Sequence, residues 1–139
     1  MKITLKSADK SDWDFIYDLR TNENYKNNFC TQDFFSKSQH YDYLSKQEAS
    51  SNFIHWMIIF EDLNVGYVRI LDNDVSIIID PKYQEKGIGS QALMLVEQEA
   101  KKIGIDKLVG RVLVHNESSR KIFEKNGYDL TLYWLEKNI

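Results

Sequence analysis

The residues best suited to chemistry lie at positions 80–90, where an apolar strand, a glycine-containing loop and an amphipathic helix are predicted to follow one another. The first backbone N–H groups of a helix have no acceptor within the helix, and the helix dipole makes them partly positive. Gly87 and Gly89 let phosphate oxygens approach these amides, while Gln84 and Lys86 add a neutral and a charged donor. The stretch therefore predicts an anion site suited to phosphate.

The spacing of the glycines restricts what kind of phosphate site this is. It is neither G-x-G-x-x-G nor G-x-x-x-x-G-K-[ST], so neither a Rossmann dinucleotide site nor a P-loop is indicated. A strand–turn–helix without any ligand could use Gly87 and Gly89 in the same way. The strand predicted before the loop and the amphipathic helix predicted after it favour the anion site.

The single cysteine and the three histidines offer few alternatives to the anion site as a place for chemistry. Cys30 is the single cysteine, so the chain cannot form an internal disulfide or a Cys-based metal site, and we interpret it as an inert thiol. His40, His55 and His115 lack metal-ligand spacing, so no metal is expected. His115 follows a predicted strand beside Asn116 and could act there as a general base; an exposed residue at a strand end is the alternative interpretation.

Hydrophobic periodicity supplies the elements that position these residues. Strands are predicted over 1–5, 53–60, 66–71, 75–79, 108–114 and 130–135. Four helices are predicted: one begins after an N-cap at Ser11, one begins near Ser38, one ends near Gly104 and one spans 118–125. Short turns between the three middle strands favour an antiparallel meander, and the strand–helix–strand order after Pro81 favours parallel pairing. We predict one α+β domain over residues 1–139: a mixed, mostly antiparallel twisted sheet flanked by about four helices.

Composition limits the partners. The 139 residues fit one domain, and the net charge of −3, with both signs mixed along the chain, argues against nucleic acid. The longest apolar run, 56–60, is far short of a membrane span, and the first residues lack the apolar core of a signal peptide. We therefore expect a cytoplasmic protein that binds neither nucleic acid nor membrane.

Two motifs resemble those of one enzyme family. Gln84-x-x-Gly87-x-Gly89 matches the Q/R-x-x-G-x-G/A signature of the GNAT superfamily of N-acetyltransferases, and residues 77–83 resemble that family's fourth strand running into its pyrophosphate loop. Residues 116–128 resemble the family's N-x-x-[AS]-x-x-[LI]-[YF]-E-K-x-G-[FY] helix. The resemblance is specific over 53–128, whereas the N-terminal half matches only in layout. It implies a GNAT-like fold and an acyltransferase.

The resemblance also implies a cosubstrate and its site. Acetyl-CoA would bind with its pyrophosphate in the 84–90 loop and its pantetheine arm along the strand at 77–79. The implied cofactor-binding residues are Ile77, Ile78, Ile79, Gln84, Glu85, Lys86, Gly87, Ile88, Gly89, Ser90, Asn116, Ser118, Ser119 and Phe123.

The implied reaction is direct attack of an amine on the thioester, with a backbone N–H near Ile79 binding the oxyanion. His115 is the candidate catalytic base, with Glu23, Asp33 and His40 as alternatives. Many relatives carry a tyrosine as general acid where this chain has Phe123, so the thiolate is expected to leave unaided or to take its proton from water.

The N-terminal half resembles a subgroup that acetylates nucleotide-linked amino sugars. Arg20, Phe29 and His40 are the predicted substrate-binding residues, although Thr21 follows Arg20 where the subgroup has asparagine. The open alternatives are acetylation of a protein N-terminus or a polyamine, and a non-catalytic acyl-CoA-binding module. Eleven residues follow Tyr128, so we expect a shortened C-terminal hairpin and an acceptor site left partly open, to be covered in a homodimer.

Overall fold

The structure is a computed structural model that describes residues 2–22 and 36–139. The predictions for Phe29, Glu23 and Asp33 fall outside the described residues. The strands are β1 (Ile3–Ser7), β2 (Phe53–Phe60), β3 (Leu63–Leu71), β4 (Asp74–Ile79) and β5 (Val109–Gly110), and the helices are α1 (Trp13–Thr21), α2 (Lys37–Glu48), α3 (Ile88–Lys102) and α4 (Glu117–Lys125).

The described strands form one sheet in the order β1-β2-β3-β4-β5. The first four strands pair antiparallel, and β4 pairs with β5 in parallel, because α3 crosses over between them. Tight turns make the meander: Glu61 and Asp62, between β2 and β3, both have positive φ, which matches the twist of a hairpin. The predicted mixed, mostly antiparallel sheet with four helices is confirmed.

The sheet has an apolar cluster on each face, as alternation along the strands requires. Val68 of β3 and Val96 of α3 belong to the cluster on the α3 face, whereas Tyr67 of β3 packs with Ile16 of α1 and Leu44 of α2 on the other. The two faces of β3 therefore reach different helices, and the second face carries the polar groups described below.

The start of α1 differs from the prediction that Ser11 is its N-cap. A short 3₁₀ turn over Lys10–Asp12 precedes the helix and is capped by Asp9, whose side chain accepts from the Ser11 amide at 2.9 Å. Asp12 completes the capping box by accepting from the Asp9 amide at 3.0 Å. Two acidic residues three positions apart satisfy both orphan amides, so the aspartate outcompetes the serine. The start predicted for α2 is confirmed within a residue or two, with Ser36 as N-cap.

The C-terminal strands are shorter than predicted. The strand expected over 108–114 consists of Val109 and Gly110 alone, and residues 129–139 form neither strand nor helix, so the strand expected over 130–135 is wrong. A strand needs a neighbour that supplies ladder hydrogen bonds, and β4 and β5 separate after the Val75–Gly110 pair. The large apolar side chains of the last segment are left exposed: Leu130, Leu132, Tyr133, Trp134 and Leu135.

No helix within residues 2–22 and 36–139 is both long enough and apolar enough to cross a membrane.

Candidate functional site

The separation of β4 from β5 opens a cavity of about 680 Å³. Its walls are β4, the loop between β4 and α3, the first turn of α3, and the facing side of α4. Strand pairing between β4 and β5 ends at Val75, so from Ser76 onward β5 no longer covers that edge of β4. An elongated ligand can therefore run alongside the strand from the α3 loop to the point where the two strands meet.

The loop between β4 and α3 brings an uncapped helix N-terminus to this cavity. Asp80 caps a 3₁₀ turn over Pro81–Tyr83 by accepting from the Lys82 amide at 3.0 Å. The chain then turns through Glu85 and Gly87, with φ of 61° and 81°, and Gly87 serves as the N-cap of α3 without a side chain to occupy the first amides. The first turn of α3 also contains no acidic residue. This geometry fits an anionic ligand.

Gly89 has a packing role as well. A Cβ there would lie 3.1 Å from Ile122 Cδ1 of α4, so the absence of a side chain lets α3 approach α4 closely. One residue on, Ser90 Oγ accepts a hydrogen bond from Asn126 Nδ2 at 3.1 Å, which joins the start of α3 to the end of α4. The two sequence motifs are therefore in direct contact.

The start of α4 forms the opposite wall. Asn116 is its N-cap and accepts from the Ser119 amide at 3.3 Å. Phe123 is buried and meets Tyr128 edge-to-face, with 4.9 Å between ring centroids. A Cβ at Gly110 would lie 2.5 Å from the Phe123 ring, so β5 needs glycine at this point to admit the ring.

The structure brings the residues implied for the cosubstrate to one place. All of them line the cavity except Lys86, whose Nζ lies 6.0 Å from the centroid of the Tyr83 ring. The residues that line it are Ile77, Ile78, Ile79, Gln84, Glu85, Gly87, Ile88, Gly89, Ser90, Asn116, Ser118, Ser119 and Phe123. Their role in binding stays a prediction, since position alone identifies no ligand.

The candidate base and acceptor residues are more scattered. Arg20 lines the cavity, whereas His115 is exposed and His40 is buried, and neither histidine is part of the lining. His40 packs against Tyr17 at 5.5 Å between ring centroids, and burial, together with the charge of Arg20, lowers its pKa to about 4. His40 is therefore neutral at physiological pH. The roles predicted for both histidines stay predictions.

A cluster of charged side chains lies at the end of the cavity away from the α3 loop, and apart from Arg20 it was not predicted from the sequence. Asp74 accepts from Arg69 Nη1 at 3.1 Å and from Arg111 Nε at 3.2 Å, and all three residues line the cavity together with Arg20. Burial lowers the pKa of Arg20, and the nearby charge of Arg69 acts in the same direction. The register of the meander could have pointed to this group, because Arg69 lies opposite Ser76 on the face that carries Asp74.

A buried chain of hydrogen bonds lies on the same face of the sheet. Tyr67 Oη is 2.8 Å from His55 Nδ1, and His55 Nε2 is 2.9 Å from Glu48 Oε1, which also accepts from Trp13 Nε1 at 3.1 Å. Burial lowers the pKa of His55, against the opposing effect of Glu48, and raises that of Tyr67. These hydrogen bonds connect α1 and α2 to the sheet beside Arg20.

Among the described residues, no three His, Cys, Asp or Glu side chains come together in a way that could hold a metal ion. The cavity instead offers backbone amides at one end and guanidinium groups at the other. This arrangement suits a long ligand with an anionic end, held between diverging parallel strands.

Comparisons with known proteins identify the family of the chain. A model of the Acetyltransferase (GNAT) family matches residues 9–128, and the chain belongs to this family. It is 37% identical over 57 residues to the uncharacterised N-acetyltransferase YycN of Bacillus subtilis, a match that covers 41% of this chain and only 36% of that protein.

Two solved structures resemble the whole chain. A domain from Methanocaldococcus jannaschii is 26% identical, with a TM-score of 0.82, and the match covers 94% of this chain and 90% of that one. Spermidine N-acetyltransferase from Vibrio cholerae, in complex with CoA and spermine, has a TM-score of 0.87 at 18% identity, and covers 99% of this chain and 86% of its own. At that identity the second likeness shows the fold alone.

Proposed function

We propose that the chain is an acetyl-CoA-dependent N-acetyltransferase that moves the acetyl group to a primary amine of a small acceptor. One observation carries the proposal: the uncapped N-terminus of α3 and the edge of β4 that β5 leaves uncovered line the same cavity. Acetyl-CoA is long, anionic at one end and reactive at the other, which matches that arrangement. Membership of the GNAT family supports the reaction class.

The cosubstrate would be held by residues already described. The amides of 85–90 would bind the pyrophosphate, since Gly87 takes the left-handed conformation that turns the chain into α3. Backbone groups of 77–79 would bind the pantetheine arm in the opening between the strands. Asn116 and Phe123 would close the other side, as both line the cavity.

The chemistry is direct attack of the neutral amine on the thioester carbonyl. The amine must first lose a proton, and our candidate base is His115, acting through water because its side chain is exposed and outside the cavity lining. A backbone N–H near Ile79 would stabilise the oxyanion. Phe123 has no proton to give, so the CoA thiolate would take its proton from water.

For the acceptor, we propose an amino sugar linked to a nucleotide. Arg20 lines the cavity and could pair with a diphosphate, which supports this choice. A polyamine, as in the spermidine N-acetyltransferase of Vibrio cholerae in complex with CoA and spermine, is less well supported because arginines line the same cavity. A protein N-terminus is the further alternative within the same reaction.

The test is release of CoA thiol from acetyl-CoA in the presence of amine panels: nucleotide-linked amino sugars, polyamines and peptides. We expect thiol release that depends on an amine and yields the N-acetyl product. Tight acetyl-CoA binding without turnover of any amine would instead favour a non-catalytic acyl-CoA-binding module. Absence of acetyl-CoA binding would contradict the proposal as a whole.

A further inference from the structure

The end of the cavity away from the α3 loop is strongly cationic. Among the residues that the structure describes, Arg20, Arg69 and Arg111 line it with one carboxylate, Asp74, so three positive charges face one negative charge. These residues come from α1, β3, the chain just after β5, and β4 respectively. Four separate elements therefore place their charged groups around one space.

This group is fixed in position before any ligand arrives. Arg69 donates from Nη1 both to Asp74 Oδ2, at 3.1 Å, and to the Asp74 carbonyl, at 2.9 Å, and its side chain is only 13% exposed. Arg111 reaches the same carboxylate through Nε, at 3.2 Å, and its side chain is 57% exposed. The strand residues Arg69 and Asp74 therefore form a fixed pair beside Arg20 and Arg111, whose guanidinium groups suit bidentate recognition of a carboxylate or phosphate.

The cosubstrate's phosphates would lie too far away to account for the arginines. Asp74 and Ile79 are the two ends of β4, about 17 Å apart at the usual rise of a strand. The charged residues that line the cavity on the loop and α4 are balanced in sign: Glu85, Glu117, Lys121 and Lys125. Within the described part of the lining, the excess of positive charge therefore lies at the end away from the α3 loop, where we expect the second reactant to bind.

We propose that the amine acceptor carries an anionic group, a carboxylate or a phosphate, which binds to Arg20 and Arg111 while the Arg69–Asp74 pair holds the site in shape. This inference rests on the proposed N-acetyltransferase function and identifies the side chains that would select an anionic acceptor. A polycation is excluded from the site by charge repulsion, whereas an anionic amine is drawn to it and oriented by it.

The test compares acceptors with and without an anionic group, using the full chain and the thiol-release assay. The matched pairs are glucosamine 6-phosphate and glucosamine, phenylalanine and phenylalaninamide, and a nucleotide-linked amino sugar and the free sugar. We expect the anionic member of at least one pair to have kcat/KM ten-fold or more above its neutral partner, and spermidine to be the poorer substrate. The preferred pair distinguishes phosphate from carboxylate.

Three variants locate the effect. Arg20→Gln and Arg111→Gln should each raise KM for the anionic acceptor by about 10- to 100-fold, as loss of a charge-assisted hydrogen bond predicts, and leave KM for acetyl-CoA unchanged. The control is Arg120→Gln, which removes the same charge from the exposed face of α4, where Arg120 pairs with Glu124 outside the cavity lining. This control should behave like the parent protein.

The outcomes separate the inference from the function it rests on. Equal turnover of charged and neutral partners, or a rise in KM for acetyl-CoA instead of the acceptor, overturns the inference and leaves the acetyltransferase standing. If no amine is turned over, calorimetry decides: binding of an anionic amine that Arg20→Gln abolishes supports the site without the reaction. Absence of that binding overturns the inference as well.

Discussion

At the scale of single residues, His40 links folding to pH. Its imidazole is 2% exposed, and within the described structure its Nε2 has no hydrogen-bond partner. The pKa of His40 is 6.5 in an ordinary environment and about 4 in the fold. Between these two pKa values the unfolded chain binds a proton at His40 that the folded chain does not bind. The contribution of His40 to the free energy of unfolding is therefore fully present above pH 6.5 and is lost as the pH falls towards 4.

We predict that this linkage costs about 2 kcal/mol of unfolding free energy at pH 5 relative to pH 7. Urea unfolding at both pH values, with His40→Phe as the comparison, isolates it: the variant should lose about 2 kcal/mol less than the parent between these pH values. Titration of the His40 ring by NMR should give a pKa near 4. Equal losses in the two proteins would contradict the assignment.

The close approach of Gly110 to the Phe123 ring leads to a second prediction at the residue scale. Because an added Cβ would lie 2.5 Å from the Phe123 ring, Gly110→Ala should destabilise the fold by about 1–3 kcal/mol through overpacking. A double-mutant cycle with Phe123→Leu, which shortens the opposing side chain, should recover part of the loss. Purely additive effects would show that the ring and the glycine are not coupled.

At the scale of elements, the start of α3 decides whether the loop binds an anion. Gly89→Glu places a carboxylate in the first turn beside the predicted phosphate site, so it should abolish CoA binding as measured by calorimetry. Gly89→Ala is the matched control. The tightest contact of its Cβ is the end of the flexible Ile122 side chain, at 3.1 Å, and Ile79 Cγ1 lies at an ordinary 3.7 Å, so CoA binding should fall by no more than a few-fold. Unchanged CoA affinity in Gly89→Glu would count against the site.

The elements also show which parts of the fold and of the site can be predicted from the sequence. The strand–loop–helix order around Gly87 and the short helix predicted over 118–125 follow from local patterns, and the structure has both, the second as Glu117–Lys125. The extent of β5 does not follow, since whether residues 111–114 pair depends on where β4 diverges, a tertiary property. Asp74 and Arg111 are distant in sequence and meet only through the parallel pairing of β4 with β5, so no local pattern links them.

At the scale of the whole molecule, the apolar side chains of 130–135 are exposed. We propose that a second copy of the chain covers this surface and the open end of the acceptor site, because contiguous exposed apolar residues commonly mark interfaces. Light scattering should give the mass of a homodimer. Leu132→Lys together with Leu135→Lys should yield a monomer that still binds CoA, whereas a monomeric parent protein would contradict this proposal.

The proposed function depends on where CoA binds, and a crystal structure of the chain with CoA tests that position most directly. We predict that the diphosphate contacts the main-chain amides of 85–90 and that the pantetheine arm lies in the opening where β4 leaves β5. A diphosphate found at the guanidinium group around Asp74, or anywhere outside this cavity, would contradict the account.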